Sequence, residues 1–302
     1  MKNQANNDIL VSVIIRTYNR PILLRKAIES VFKQTYSNIQ IVVVNDHGQD
    51  VQYIIDEFKK KTSRGKLREF TYITNATQLS RAGAANVGIK NSKGKIIGLL
   101  DDDDYYLSNH IALHVASQLK NKKNVSISLS NELLTAQNIM RPHFDYTKTN
   151  KLNFLFFQNY YPINSVMFNR LILRKVGLFD NKLKVLEDWD FFIRLMLKYD
   201  TSIISKITSV YTTQVGTFNV RNQTKEEWKK NYILLRKRYK KTFKRTKTSI
   251  PLSEVADSLN DFAIKYYREA MEFEELRDSL IYRAFKSPIY NSIKTILKKI
   301  TR

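Results

Sequence analysis

The chain alternates between short apolar runs of strand length and longer stretches whose apolar positions recur at helical spacing. Leu10 to Ile15 reads as a buried strand. From Pro21 to Gln34, the residues Leu23, Leu24, Ala27, Ile28, Val31 and Phe32 then share one helical face, with Pro21 suited to the first turn. The unit recurs as strand Ile39 to Val44 with a helix around Val51 to Lys60, and strand Phe70 to Ile73 with a helix around Ser80 to Asn91. It recurs again as strand Lys95 to Leu100 with a helix around Asn109 to Leu119. Such alternation predicts an α/β fold, a mostly parallel sheet flanked by helices. After residue 124 the pattern loosens into Val125 to Ser130, an irregular polar stretch, the aromatic run Phe154 to Phe157 and a strand at Val166 to Phe168. Ligands of open parallel sheets bind beyond the carboxyl ends of the strands, where Thr17-Tyr18-Asn19, Asn45-Asp46 and Asp101 to Asp104 fall. Those strand ends are expected to meet in one crevice.

Composition adds an organisation and removes some chemistries. At 302 residues the chain accommodates a main domain with an appendage. From about Thr224 the sequence turns basic, aromatic and helical, and Arg236 to Lys247 contains no acid, so a boundary is expected near residue 220, with residues 221–302 forming a basic helical extension. The absence of cysteine excludes a disulfide scaffold, a thiolate zinc site and a cysteine nucleophile. Met1 to Asp8 is polar and no apolar run is long enough to span a bilayer, which points to a cytoplasmic protein. The formal net charge of +23 suits nucleic acid, an anionic membrane surface or a phosphorylated substrate, and charge alone does not choose. No recognised nucleic-acid motif accompanies it, so nucleic acid is not an expected partner. Residues 286–302 carry lysines and an isoleucine-rich stripe at helical spacing. They read either as an interfacial helix at the inner face of the membrane or as a helix packing on its own domain or on another copy in a homo-oligomer.

Against this basic background stand two acidic clusters, Asp101 to Asp104 at the end of an apolar run and Glu187-Asp188-Trp189-Asp190 at the head of a helix-like stretch. Adjacent carboxylates repel one another and lose solvation in a cleft, so a divalent cation that bridges to phosphate oxygens is their expected use; Mn2+ or Mg2+ suits oxygen ligands. The competing reading is an acidic turn that caps the following helix. A metal phosphohydrolase with Asp101 as nucleophile is a further alternative, but it leaves Tyr18, Asp46 and Asp188 without roles.

Several ordered pieces, each weak alone, go together: Val11 to Ile15 with Thr17-Tyr18-Asn19-Arg20, Ala27 to Val31 with Gln34-Thr35-Tyr36, and Val42-Val43-Val44-Asn45-Asp46. Ala84-Ala85-Asn86-Val87-Gly88, Leu100 to Tyr106, Val176 to Asp180 and Glu187 to Phe191 continue the series. In this order, over roughly residues 10 to 215, the chain resembles the inverting GT-A nucleotide-sugar glycosyltransferases that build bacterial surface polysaccharides. The resemblance implies a Rossmann-like GT-A fold and a metal-dependent hexosyl- or acetylhexosaminyltransferase. Its donor would be a UDP-sugar and its acceptor a lipid-linked glycan of capsule, lipopolysaccharide or exopolysaccharide.

The resemblance further implies that Tyr18 stacks on the nucleotide base, Asp46 accepts a hydrogen bond from it and Thr17 fixes its position, whereas the residues alone also allow a loop tyrosine and a turn-forming aspartate. The aspartate run holds the DxD element of the family twice. Asp103 is favoured as the direct metal ligand, Asp101 as its support, Asp102 as a neighbour of the ribose and Asp104 as a brace behind the metal ligands or entry to the next helix. Asp188 takes the place of the catalytic base that deprotonates the incoming hydroxyl, with helix capping as the alternative. Two departures stand out. Ala85 occupies a position where many members carry arginine, so Arg81 is the expected substitute at the diphosphate, a surface arginine being the other reading. Gln214 to Thr217 lacks a histidine that some relatives use as a metal ligand. The histidines His47, His110, His114 and His143 show no metal-binding spacing.

Overall fold

A computed structural model describes residues 9–61, 68–135, 138–143, 155, 159–213 and 225–242. The chain divides into two compact units, Met1–Phe243 and Lys244–Arg302, and all described residues belong to the first. The segments 214–217 and 286–302 singled out in the sequence lie outside the described residues.

The first half follows the strand-helix alternation. It runs β1 (Val11–Thr17), α1 (Pro21–Phe32), β2 (Ile39–Asn45), α2 (Gln52–Lys61), β3 (Arg68–Thr74), α3 (Arg81–Asn91), β4 (Ile96–Asp101), β5 (Tyr105–Tyr106) and α4 (His110–Asn121). The second half holds β6 (Val125–Leu134), β7 (Ile139–Pro142), β8 (Val166–Asn169), α5 (Leu173–Val176), α6 (Glu187–Met196), β9 (Ser202–Thr213) and α7 (Lys225–Arg238). Among the described residues all strands join one sheet in the order β3-β2-β1-β4-β8-β6-β9-β5, with β7 attached to β6. The pairs β1–β2, β1–β4, β2–β3 and β6–β9 are parallel, whereas β8 runs antiparallel to both β4 and β6. β1 and β2 are buried along their whole length, as their continuous apolar runs require when helices cover both faces.

Two apolar cores flank the sheet. One gathers Leu24, Ile28, Val31, Ile54 and Phe58 from α1 and α2 against Val13, Ile15 and Val43. The other gathers Ala82, Ala85 and Ile89 of α3 with Trp189, Phe191, Phe192 and Leu195 of α6. A Cβ on Gly88 would stand 2.3 Å from Ile14 Cγ2, so only glycine lets α3 lie this close on β1. That seating fixes where the α3 N-terminus, capped by Ser80, meets the strand ends.

The structure revises the expectations in two places. The strict alternation does end after residue 124, since β7 and β8 pair antiparallel, but Val125 to Ser130 is the start of a ten-residue strand paired in parallel with β9, a pairing the sequence pattern did not reveal. The division expected near residue 220 moves beyond α7. Leu235 and Tyr239 of that segment are buried in the second core, and the guanidinium of Arg238 donates to Asp180 and Asp190 at 2.8 and 2.6 Å. Among the described residues no helix is long and apolar enough to cross a membrane.

Candidate active site

The carboxyl ends of β1, β2 and β4 meet as expected, and the N-termini of α3 and α6 close the same corner. Arg16, Arg20, Asp46, Arg81, Ala84, Asp101, Asp102 and Asp103 line one cleft. On its β2 side the Asp46 amide donates to Thr17 O at 2.9 Å, and the buried Asp46 carboxylate accepts from Asn75 Nδ2 (2.9 Å) and Leu79 N (2.8 Å). Asp46 therefore organises the loop entering α3 and is more than a turn former. Tyr18 sits half-buried at the bend after β1. The next residue, Asn19, is held at φ 54° while its Oδ1 accepts from Gln49 N at 2.7 Å, which ties the β1 and β2 loops together.

The four aspartates do four different things. Asp101, opposite Arg16 in the β1–β4 register, receives Arg16 Nε at 3.1 Å and a shorter contact from Arg16 Nη2 on one oxygen, and Arg81 Nη2 at 3.0 Å on the other. Burial works to raise its pKa, but the guanidiniums of Arg16 and Arg81 bring it down to about 2. Asp102 accepts from Thr17 Oγ1 (2.8 Å) and Arg20 Nη1 (3.1 Å); burial and the adjacent Asp103 push its pKa up to about 6. Asp103 receives Arg20 Nη1 at 2.8 Å and keeps 19% of its side chain exposed in the cleft. Asp104 turns inward, where Asn164 Nδ2 (2.9 Å) and Thr212 N (2.8 Å) donate to its two oxygens. It is therefore a buried anchor for β9 rather than the entry to α4, whose N-cap is Asn109.

Across the cleft, Glu187 opens α6 after Leu186, a bulky residue in the left-handed region at φ 63°. Backbone strain of this kind is retained where the surrounding structure over-determines it, often beside a functional group. Glu187 Oε1 lies 3.5 Å from Arg16 Nη1 and 3.4 Å from Arg81 Nε. Asp188 is half-buried and accepts from Asn159 Nδ2 at 2.9 Å and from Trp189 N at 2.7 Å. Burial, and then the neighbouring Glu187 carboxylate, raise its pKa to about 6 against the opposing pull of Arg81. Asp190 is fully buried and belongs to the scaffold: Arg194 Nε (2.7 Å), Arg238 Nη1 (2.6 Å) and Tyr239 OH (2.7 Å) all donate to it.

Arg81, the expected substitute for an arginine at position 85, lies one helical turn earlier, and residues four apart share a helix face. Its guanidinium reaches both acidic clusters, and although burial opposes it, Glu187, Asp101 and Asp188 raise its pKa. One participant escaped sequence reasoning: Arg16 follows an apolar run with no motif to mark it, whereas Glu187 already stood out as part of the second acidic cluster. The only sequence signal for Arg16 was a charge inside a strand otherwise buried on both faces.

Among the described residues no group of three or more histidine or acidic side chains is preformed as a metal cage. Both Asp101 oxygens are occupied by arginines, which leaves Asp103 as the carboxylate best disposed toward the open cleft. This donor set fits a divalent ion that takes one or two carboxylates and completes its shell with substrate phosphates and water. His110 and His114 share a helix face. They are buried with ring centroids 4.3 Å apart, facing Thr208 and Ser126 rather than the cleft.

The model of glycosyl transferase family 2 matches residues 12–179. An uncharacterized glycosyltransferase of Rickettsia prowazekii is 31% identical over 222 residues, covering 68% of this chain and 67% of its own length. The UDP-Glc:alpha-D-GlcNAc-diphosphoundecaprenol beta-1,3-glucosyltransferase of Escherichia coli is 35% identical over 126 residues, 41% of this chain and 46% of that protein. The crystal structure of S. aureus TarS 1-349 in complex with UDP superposes with a TM-score of 0.56 at 19% identity, covering 83% of this chain and 78% of that one, a likeness of fold.

Proposed function

The chain belongs to glycosyl transferase family 2, and on that premise we propose that it moves a sugar from a UDP-sugar to a lipid-linked glycan acceptor with inversion, in the synthesis of a bacterial surface polysaccharide. A UDP complex of the TarS neighbour and a relative acting on a diphosphoundecaprenol-linked sugar support the donor and acceptor classes. The observation that carries the reading is the juxtaposition of two acidic clusters: Arg81 spans from Asp101 of the donor-side turn to Glu187, which immediately precedes Asp188.

In this mechanism Thr17, Tyr18 and Asp46 receive the uridine, Asp102 lies by the ribose and Arg81 meets the diphosphate. Asp188 takes the proton from the acceptor hydroxyl as that oxygen bonds to the anomeric carbon. The anomeric carbon–oxygen bond to the diphosphate breaks on the opposite face, its electron pair leaves with UDP, and the configuration inverts. A Mn2+ or Mg2+ ion held by Asp103, with Asp101 nearby, would neutralise charge on the departing diphosphate. Six carboxylates, Asp46, Asp101, Asp102, Asp103, Glu187 and Asp188, face three guanidiniums, Arg16, Arg20 and Arg81, so with all groups ionised the cleft carries excess negative charge. An anionic donor enters such a cleft more readily with a cation.

A thermal-shift panel combined with a donor-hydrolysis screen tests the proposal. UDP with manganese should stabilise the protein where manganese alone does not, and one UDP-sugar should be cleaved slowly to free UDP. Stabilisation by oligonucleotides in place of UDP, or release of inorganic phosphate from phosphomonoesters, would sink it.

A further inference from the structure

Arg16 has no place in the mechanism above, although it occupies the centre of the site. It is 7% exposed, an unusual setting for a guanidinium, near the end of a fully buried strand whose other residues are Val, Ile, Ser and Thr. Its donors are distributed over three elements. Nε and Nη2 hold Asp101 of β4, Nη1 donates to the carbonyl of Arg81 at 3.0 Å on α3, and Nη1 also lies 3.5 Å from Glu187 Oε1 on α6. Arg81 closes the ring from above through Asp101 Oδ2 and Glu187 Oε1.

We propose that Arg16 is a positioning residue for sugar transfer: from the floor of the cleft it locks Asp101, the Arg81 backbone and Glu187 together, and so sets the distance between the donor-side turn and Asp188. This assignment rests on the transferase reading. The physical basis is donor geometry. A guanidinium carries five N–H groups in a rigid planar fork and bridges three acceptors at once, whereas a lysine ammonium is a point charge on a flexible stem. With its nitrogens engaged and its surface covered, Arg16 has little left to offer the donor. Its loss therefore acts on the alignment of reacting groups, where misplacements of about 1 Å cost about 100-fold in rate.

The test compares the full-length wild type with Arg16→Lys and Arg16→Gln. UDP affinity is measured with manganese by calorimetry, and kcat, KM and the pH dependence of kcat are measured with the UDP-sugar the wild type cleaves best. For Arg16→Gln, kcat should fall at least about tenfold while the UDP dissociation constant stays within about threefold, and Arg16→Lys should recover only part of the rate. The acidic limb of the kcat profile should move to higher pH in Arg16→Gln. Asp188 faces Glu187, Arg81 and Arg16, and one of its two cations is then gone. Glu187→Gln, which breaks the ring from the other side, should repeat the kcat loss and serves if Arg16→Gln fails to fold. An unchanged kcat with only a lower melting temperature reduces Arg16 to a structural ion pair and overturns the proposal. Equal losses in kcat and UDP affinity overturn it too, because Arg16 would then hold the donor itself. A wild type that neither binds UDP nor cleaves any UDP-sugar removes the transferase reading beneath it.

Discussion

Replacing Asp188 by asparagine should abolish transfer while making the protein harder to unfold at neutral pH. The carboxylate is raised from 3.8 to about 6 in the folded protein, so folding moves an ionised group into a setting that favours its neutral form. At 1.36 kcal/mol per unit, that shift costs the native state at most about 3 kcal/mol above pH 7. The side chain is half-buried, and asparagine has one acceptor oxygen for the two donors now on Asp188, so the recoverable part is about 1–2 kcal/mol. The sign follows from linkage. A raised carboxyl contributes stability that is complete below its unfolded pKa and is lost as pH rises through the folded value. Asparagine is neutral throughout, so its advantage over the wild type should vanish near pH 4 and reach its full size above about pH 7. For a unit of this size the gain corresponds to a rise of about 2–8 °C in melting temperature. Transfer should fall by about 10²- to 10⁴-fold through loss of the base, with UDP affinity unchanged. Paired thermal melts at pH 4.5 and pH 7.5, alongside UDP calorimetry and a rate measurement, test all three parts. A variant no more stable than the wild type at pH 7.5, or one that keeps transferring sugar, refutes the reasoning.

Arg81→Ala should weaken UDP binding by about 10- to 100-fold, since it removes the guanidinium proposed to meet the diphosphate; an unaltered calorimetric titration would return Arg81 to a purely internal role. Asp190→Ala should destabilise the protein by about 3–5 kcal/mol, because Arg194, Arg238 and Tyr239 lose a shared buried acceptor. A urea midpoint close to that of the wild type would show that α7 is held by apolar packing alone. The buried imidazoles predict acid sensitivity: burial and the neighbouring ring hold His110 well below its ordinary value, and burial brings His114 down to about 3. Both therefore favour folding above about pH 6.5 and lose that contribution as pH falls. His114→Gln should flatten the loss of urea stability between pH 6.5 and 4, and an unchanged slope would place the acid-sensitive groups elsewhere.

The strand-helix alternation was legible through α4 because β1, β2 and β4 are buried along almost their whole length and so read as mainly apolar runs, while the half-buried edge strand β3 is marked by Phe70 to Ile73. β9 was not, because Ser202 to Thr213 mixes serine, threonine and lysine with isolated apolar residues. Its place inside the sheet comes from long-range pairing with β6, which no local pattern encodes. α7 was placed in the basic extension because its lysines outnumber its anchors, and it is the buried Leu235 and Tyr239, the Trp189–Tyr232 ring contact and the pairing of Arg238 with Asp180 and Asp190 that show where it belongs. Within the site, residue type marked the carboxylates but not their division of labour. Asp101 and Asp104 are chemically identical, yet one is clasped by two arginines and the other has turned away into the core. That outcome depends on Arg16, Arg81, Asn164 and Thr212, contributed from distant parts of the chain.

The arginines also explain how the carboxyl end of the sheet tolerates so many acids. An ionised carboxylate moved from water to the interior costs several kcal/mol unless a partner and further hydrogen bonds compensate it. Asp101 has two guanidiniums and stays ionised down to about pH 2, whereas Asp102 and Asp188, less fully compensated, ionise only near pH 6. The cleft is thus graded, from a carboxylate locked in its charged form to one poised to exchange a proton close to neutrality. A general base works best when its pKa lies near the operating pH, because it is then ionised often enough to act and basic enough to accept a proton. Asp188 meets that condition through its position beside Glu187 and under partial cover. Asp101 fails it because Arg16 and Arg81 hold its charge in place. Were the two arginines instead arranged around Asp188, its proton affinity would fall and the same acids would make a poorer catalyst. In the proposed mechanism the placement of the cations, rather than the number of acids, thus separates Asp188 from Asp101 as the base.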